Sequence, residues 1–295
     1  MRKSILLSAL CLLALSCQEA VQADFLGPLQ GEEKEEGKPH SYQGMDISSD
    51  YMLSCQNRGI ASIYRLSGKA FTRVGQFHLA SYHKYNHANV VSFGPEKADA
   101  ADPLPLAYVS QCSKHPIDSM KDVLYVERIA ADFASSELVQ TIFYDDVNHD
   151  FGYALQWVTD PKEKMLYGYG NTVNNSDPEN RHRIVKFRLP SLSEGALVVL
   201  KPEDALENYL IEEVSDFRFN PIGQGLFVLQ DKLYMPTGLG TQEAPSILYI
   251  WDLKRRCMES VDLSALTTGE LEDISRYGNT FYLQGQDGVF RLKLR

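Results

Sequence analysis

Read for the alternation of hydrophobic and polar positions, the chain changes character twice. Residues 5–15 form a nearly unbroken apolar run, and residues 18–42 are polar and broken by Gly and Pro. From Gln43 onward short runs alternate apolar and polar positions, with turn residues between them. Period two over runs of about 4–8 residues predicts strands. No stretch keeps a helical period for long; the nearest, 202–211, predicts one or two helical turns inside a connection.

The strand pattern repeats. Segments 51–54, 106–110, 165–169, 232–235 and 280–283 are rich in Tyr and Leu, and each is followed by an alternating segment, at 62–66, 124–129, 184–189, 248–253 and 288–292. A further strand is predicted after three of these, at 73–79, 138–143 and 258–263. Residues 43–295 thus divide into five units of about 51 residues, close to the ~40–50 of propeller repeats. The predicted fold is all-β, a five-bladed β-propeller with four-stranded antiparallel blades. A six-bladed ring with shorter units and a β-sandwich with long loops remain alternatives. The last unit ends after its third strand, so its outer strand must come from elsewhere. The apolar stretch Phe25 to Leu29 is the natural donor, because an unclosed ring exposes two unpaired blade faces.

Composition narrows the class. Of 295 residues, 44% are hydrophobic and 23% charged, which excludes a disordered chain, a collagen-like repeat and a multi-pass membrane protein. The 16 Tyr and 13 Phe favour β structure. A net charge of −10 has the wrong sign for gripping nucleic acid. Arg2 and Lys3 precede the apolar run, which is too short to span a bilayer and has the order of a secretory signal. Ala14-Leu15-Ser16-Cys17 has the form of a lipobox, predicting cleavage after residue 16 and lipidation of Cys17; an ordinary signal cut near Ala20 or Ala23 is the alternative. Cleavage would remove two cations and leave −12, so a lipid rather than surface charge would hold the protein to a membrane. Residues 17–42, with the charge block 32–36, are expected to form a flexible acidic tether. Cys55, Cys112 and Cys257 show no metal spacing and no C-x-x-C, and are expected as small apolar fillers on strands.

Several segments carry a resemblance. Gln43-Gly-Met-Asp-Ile47, His87-Ala-Asn-Val-Val-Ser-Phe-Gly94, Leu106-Ala-Tyr-Val-Ser-Gln111, Leu233-Tyr-Met-Pro-Thr-Gly-Leu-Gly240 and Glu270-Leu-Glu-Asp-Ile274 are similar to an uncharacterised group of Bacteroidetes-type lipoproteins. The resemblance covers about residues 43–294. It implies five-bladed architecture and an outer-membrane or cell-surface setting, and no particular chemistry.

In a propeller the first strand of each blade lines the axis, where ligands tend to sit. The axial candidates are Gln43 and Asp46, His87 and Asn89, Tyr153 and Gln156, Gln224, and Glu272 with Asp273. Such a ring of amides, carboxylates, one imidazole and one phenol suits hydrogen bonding to a glycan or peptide; it equally suits a water-filled axis whose polar groups satisfy one another. Glycan cleavage would need paired carboxylates, for which Asp46, Glu272 and Asp273 are the candidates. Asp146, Asn148 and Asp150 have the alternate spacing of a calcium loop, without its usual Gly. His78, His83 and His87 would share a face only on a helix, which this connection does not suggest. The polar loop 171–180 is a possible rim contact. Motifs of serine hydrolases, zinc proteases and nucleotide-binding loops are absent. The expectation is a non-catalytic envelope lipoprotein, periplasmic or surface-exposed, that needs no cofactor. It would bind a glycan, peptide or outer-membrane protein partner through its axial face. A glycoside hydrolase or lyase is the alternative, and a scaffold acting through its rim loops is a third reading.

Overall fold

The structure is a computed structural model that describes residues 22–29, 41–68, 70–216 and 222–294. Its strands form five sheets, each built on four antiparallel strands, around one axis: a five-bladed β-propeller. The innermost strands are Tyr42–Ser48, Val90–Phe93, Tyr153–Asp160, Phe227–Leu229 and Leu271–Tyr277, in blades 1 to 5. Each contacts the innermost strand of the next blade, and the last contacts the first, so the ring is closed. Alternation decides what fills the gaps. One side chain in two leaves each sheet face and meets the facing blade, producing apolar cores between successive sheets. Leu53, Ile63, Val91 and Val109 pack between blades 1 and 2; Trp157, Leu166, Val185 and Phe187 pack against blade 2.

Blade 5 obtains its outer strand from the other end of the chain. Strand Gln22–Gly27 pairs antiparallel with Gly288–Lys293, setting Phe25 opposite Phe290. The two rings lie 4.9 Å apart, and Arg291 forms an ion pair with Asp24 across the pair. Leu29 is buried beneath blade 1, where its carbonyl accepts a hydrogen bond from the Tyr42 hydroxyl at 2.9 Å. The join needs close approach. Gly288 has φ +133°, and a Cβ there would lie 2.3 Å from the Gly27 carbonyl oxygen. Within the expected tether over 17–42, residues 22–27 form this strand on the last blade, where Phe25 to Leu29 is expected to dock, and Tyr42 already belongs to blade 1. The signal segment, Cys17 and the charge block 32–36 lie outside the described residues.

Blade 3 departs from the simple repeat. Segment 202–211 is not one or two helical turns. A short 3₁₀ turn, Pro202–Asp204, leads into strand Glu207–Leu210, the outer strand of blade 3, and only then into the four-residue helix Ile211–Val214. Tertiary pairing overrides local propensity here. Asn208 and Tyr209 take register opposite Val185 and Ile184, and the Arg256 guanidinium covers the Tyr209 ring at 3.6 Å. Before that turn the chain reaches back to blade 2, where Leu197–Leu200 adds a fifth strand, parallel to Ser136–Tyr144. Among the described residues no helix is long and apolar enough to cross a membrane.

Removing residues 22–29 would expose the edge of blade 5 and the Phe290 face. Loss of roughly 3–5 kcal/mol of apolar burial is expected to lower the midpoint of thermal unfolding by about 10 °C. Calorimetry on the truncated chain checks this, and gel filtration reports whether the freed edge pairs with a second copy.

Candidate functional site

Hydrogen bonds between blades fix the height of each inner strand along the axis. At one level Asp273 meets Met45, Val91 and Leu226. Nearer the inner-to-second-strand hairpins, Ser275 meets Ile47, Asp46 meets Phe93, and Ser92 meets Thr159. On the other side of Asp273, Asn89 and Gln156 meet Gln224, and Gln43 meets Gln284. The inner strands therefore run in one direction. The axis has a pole where they begin and a pole where they turn back as hairpins.

Asp273 lies between the poles, fully buried. Its Oδ2 accepts the N–H groups of Met45 at 2.8 Å and Val91 at 3.4 Å; its Oδ1 accepts those of Ile274 at 2.9 Å and Leu226 at 3.1 Å. One carboxylate thus joins the inner strands of blades 5, 1 and 2 and the approach to that of blade 4. The backbone is shaped around it, since a Cβ on Gly225 would fall 2.3 Å from Asp273 Oδ1. Burial pushes this carboxyl up, and the four amide donors oppose the rise. Asp46 does the same work nearer the hairpins. Its oxygens accept Ile47 N–H at 2.8 Å, Phe93 N–H at 2.6 Å and the Ser275 hydroxyl. Burial pushes its carboxyl up to about 6.

The strand-start pole gathers Gln43, Asn89, Gln156, Gln224 and Glu272. The side-chain amides of Asn89 and Gln156 both donate to the Gln224 carbonyl, at 2.9 and 3.1 Å. Gln224 in turn donates to Glu270 through its side chain, and Gln286 to Glu272. Burial and the neighbouring Glu270 push the Glu272 carboxyl well up. His87 and Tyr153 stand beside this pole in a side pocket of about 230 Å³ that also holds Asn57 and Cys112. His87 Nδ1 lies 2.7 Å from Asn57 Oδ1, and burial pushes the imidazole down, towards its neutral form.

The hairpin pole opens as a funnel of about 500 Å³, lined by residues from all five blades. Its wall includes Phe93 and Phe227, its rim Asp160, Lys162, Asp231 and Arg276, and Asp46 lies in its lining. That volume is within the ~300–1,000 Å³ of ligand pockets. Of the three carboxylates considered for cleavage, Asp46 alone lines it; Glu272 belongs to the opposite pole, and Asp273 is sealed between them.

Asp146, Asn148 and Asp150 form a turn. The Asp146 carboxylate accepts the N–H groups of Asp150 and Phe151 at 2.9 and 2.8 Å, and Asp150 pairs with Arg183 at 3.4 Å. Among the described residues no three His, Cys, Asp or Glu are grouped to hold a metal ion. Cys55 is buried, Cys112 half-buried and Cys257 exposed. Sequence reasoning missed Ser275, Gln284, Gln286 and the hairpin rim. Ser275 and Gln284 had a readable signal: the first is two residues past Asp273, and the second is its neighbour across the hairpin.

No protein-family model matches the chain, and no curated protein matches it. Solved structures match in shape. A tail fibre of Staphylococcus aureus phage P68 aligns with TM-score 0.53 at 11% identity over 92% of this chain, which spans about half (52%) of that one. A nidogen/laminin complex aligns with TM-score 0.42 at 10% identity, over 83% of this chain and 72% of that one. At 11% identity the likeness to the tail fibre is one of fold.

Replacing Asp273 by Ala would strand four buried amides, each at ~1–3 kcal/mol, against a total stability of ~5–15 kcal/mol. The Asp273→Ala chain is expected to lose its cooperative melting transition by circular dichroism, with Asp273→Asn in between. Titration gives a second expectation. Asp46 is raised from 3.8 to about 6 and buried Asp122 likewise to about 6. The folded state then holds more protons than the unfolded one between those values, and stability falls as pH rises from about 4 to 6. Asp102, held down by Arg128, acts in the opposite sense only below that window, and the single imidazole of His87, pushed down by burial from 6.5, opposes the two carboxyls within it. The melting temperature should be higher at pH 5 than at pH 7, and Asp46→Asn should flatten the slope.

Proposed function

We propose that this protein is a non-catalytic binding propeller of the cell envelope, held to the outer membrane by a lipid on Cys17. It takes a glycan, a peptide or a partner protein in the axial funnel at its hairpin pole. The observation that carries the reading is that all five blades contribute to one funnel, while Asp46 and Asp273, two of the three carboxylates nominated for cleavage, are engaged in holding the blades together. A funnel with aromatic walls and a rim of mixed charge suits a polar ligand with apolar faces.

The runner-up, a glycan-active enzyme, draws on Asp46, whose carboxyl near 6 borders the funnel. Against it, both Asp46 oxygens already accept hydrogen bonds, and neither Glu272 nor Asp273 shares the cavity. Cleavage needs two carboxyl groups about 5–10 Å apart across one substrate.

Two experiments decide. Affinity electrophoresis of the full chain against a panel of polysaccharides, with peptide arrays beside it, is expected to find retardation without product release. The double variant Lys162→Glu, Arg276→Glu should weaken binding by about tenfold or more at unchanged melting temperature. Reducing sugar released by the wild type, and lost in Asp46→Asn, would establish the enzyme instead. For the tether, Cys17→Ser is expected to move the protein from the membrane to the soluble fraction; unchanged fractionation rejects lipid attachment.

A further inference from the structure

The strand-start pole is unbalanced. Four buried side chains there commit their amide nitrogens and leave the oxygen without a hydrogen bond: Gln43, Asn89, Gln156 and Gln284. Each is more than nine-tenths buried. Gln43, Asn89 and Gln156 lie at one level on the inner side of blades 1, 2 and 3, and Gln284, paired with Asp273 on the second strand of blade 5, reaches that level through its side chain. Asn89 and Gln156 share the Gln224 carbonyl as acceptor, while Gln284 donates to the Gln43 carbonyl from blade 5. Two carboxylates adjoin the same network. Glu270 accepts from the Gln224 side chain, and Glu272 accepts from Gln286, which also donates to the Tyr42 carbonyl. Every unsatisfied group here is an acceptor. Water can relieve such a surplus only in part, because each molecule brings two donors and also lone pairs of its own. A cation brings no lone pairs of its own, and amide and carboxylate oxygens are the ligands hard cations prefer.

We propose that the strand-start pole of the axis is a binding site for one hard divalent cation of the calcium class, ligated by the amide oxygens of Gln43, Asn89, Gln156 and Gln284. Glu270 and Glu272 supply the counter-charge. The ligands come from blades 1, 2, 3 and 5, so the cation acts as a second axial fastener beyond Asp273. The site is separate from the 146–150 turn, whose carboxylates are engaged within the protein. It lies at the opposite pole from the funnel, so its test does not depend on any ligand bound there.

The full chain, treated with EDTA and desalted, is titrated calorimetrically with calcium, magnesium and potassium chloride. The expected result is saturable binding of one calcium per chain, tighter than magnesium by at least tenfold, with a rise in melting temperature that follows occupancy. Asn89→Leu and Glu272→Gln, checked for the wild-type circular dichroism spectrum, should each weaken calcium binding tenfold or more. Asp146→Asn should leave it unchanged. Absence of saturable calcium binding in the folded wild type overturns the proposal, as does calcium binding that Asp146→Asn abolishes. Saturation by potassium alone also rejects it, in favour of a monovalent site. Should a variant fail to fold, the wild-type titration decides by itself.

Discussion

The arrangement rests on one buried carboxylate. In a ring of blades the sheets satisfy their own hydrogen bonds, but the inner strands present backbone N–H groups to an axis with no further strand to receive them. Asp273 receives four at once. An acceptor-only group with two oxygens and about four lone-pair directions is the one side-chain type that can do so. Its partners come from both ends of the sequence, so the bond set forms only when first and last blades are already adjacent. Asp46 and Ser275 repeat the device one level along the same seam. The polar axis is therefore a fastening. Burial pushes the Asp273 carboxyl up, towards its neutral form, and the four N–H donors oppose that by favouring the charged one.

This fastening divides the axis and with it the functional question. Viewed as a set, Asp46, Glu272 and Asp273 suggest a catalytic constellation; viewed in place, they lie at three depths. The level of Asp273 closes the channel, with Gly225 and Gly44 pressed so near their neighbours that no Cβ fits. What remains are two separate environments. The hairpin pole is open, mixed in charge and partly aromatic. The strand-start pole is narrow, amide-lined and rich in acceptors. Only the first has the volume to admit a ligand of some size, and the second is where a small cation is proposed.

The repeat was legible because alternation reports which side chains enter the gaps between blades, and five such units closed by an upstream apolar strand leave few other architectures. Blade 3 was not legible. The pattern at 202–211 is short and rich in Glu, and only its pairing with Ile184 and Val185 makes 207–210 a strand. The parallel strand Leu197–Leu200 had no signal either, because two-residue alternation does not say which edge a strand joins. At the axis, residue type was readable and depth was not. Gln43, Asn89, Gln156 and Gln224 do share a level, whereas Asp46 lies closer to the opposite end. The reason is the irregular register of the inner strands: Tyr42/Met45, Tyr153/Gln156 and Leu271/Asp273 each carry a shift that re-aims the side chains after it.

Closure and axis are finally one system. Strand Gln22–Gly27 completes blade 5, and the inner strand of that blade carries Glu272, Asp273 and Ser275. Gly288, which admits the Gly27 backbone, lies across its hairpin from Gly285, and Gly285 pairs with Leu271 at the start of that inner strand. Blade 5 therefore couples the segment leading to the expected tether with the groups that set the level of four blades. A pull on the upstream segment would act first on the outer strand of blade 5, and only after that strand had peeled away on the axial bonds. Those bonds are buried and shared among blades, while the Asp24–Arg291 pair at the edge is open to solvent. The edge is thus the part of the ring that yields first, and the axis the part that holds the remaining blades in register.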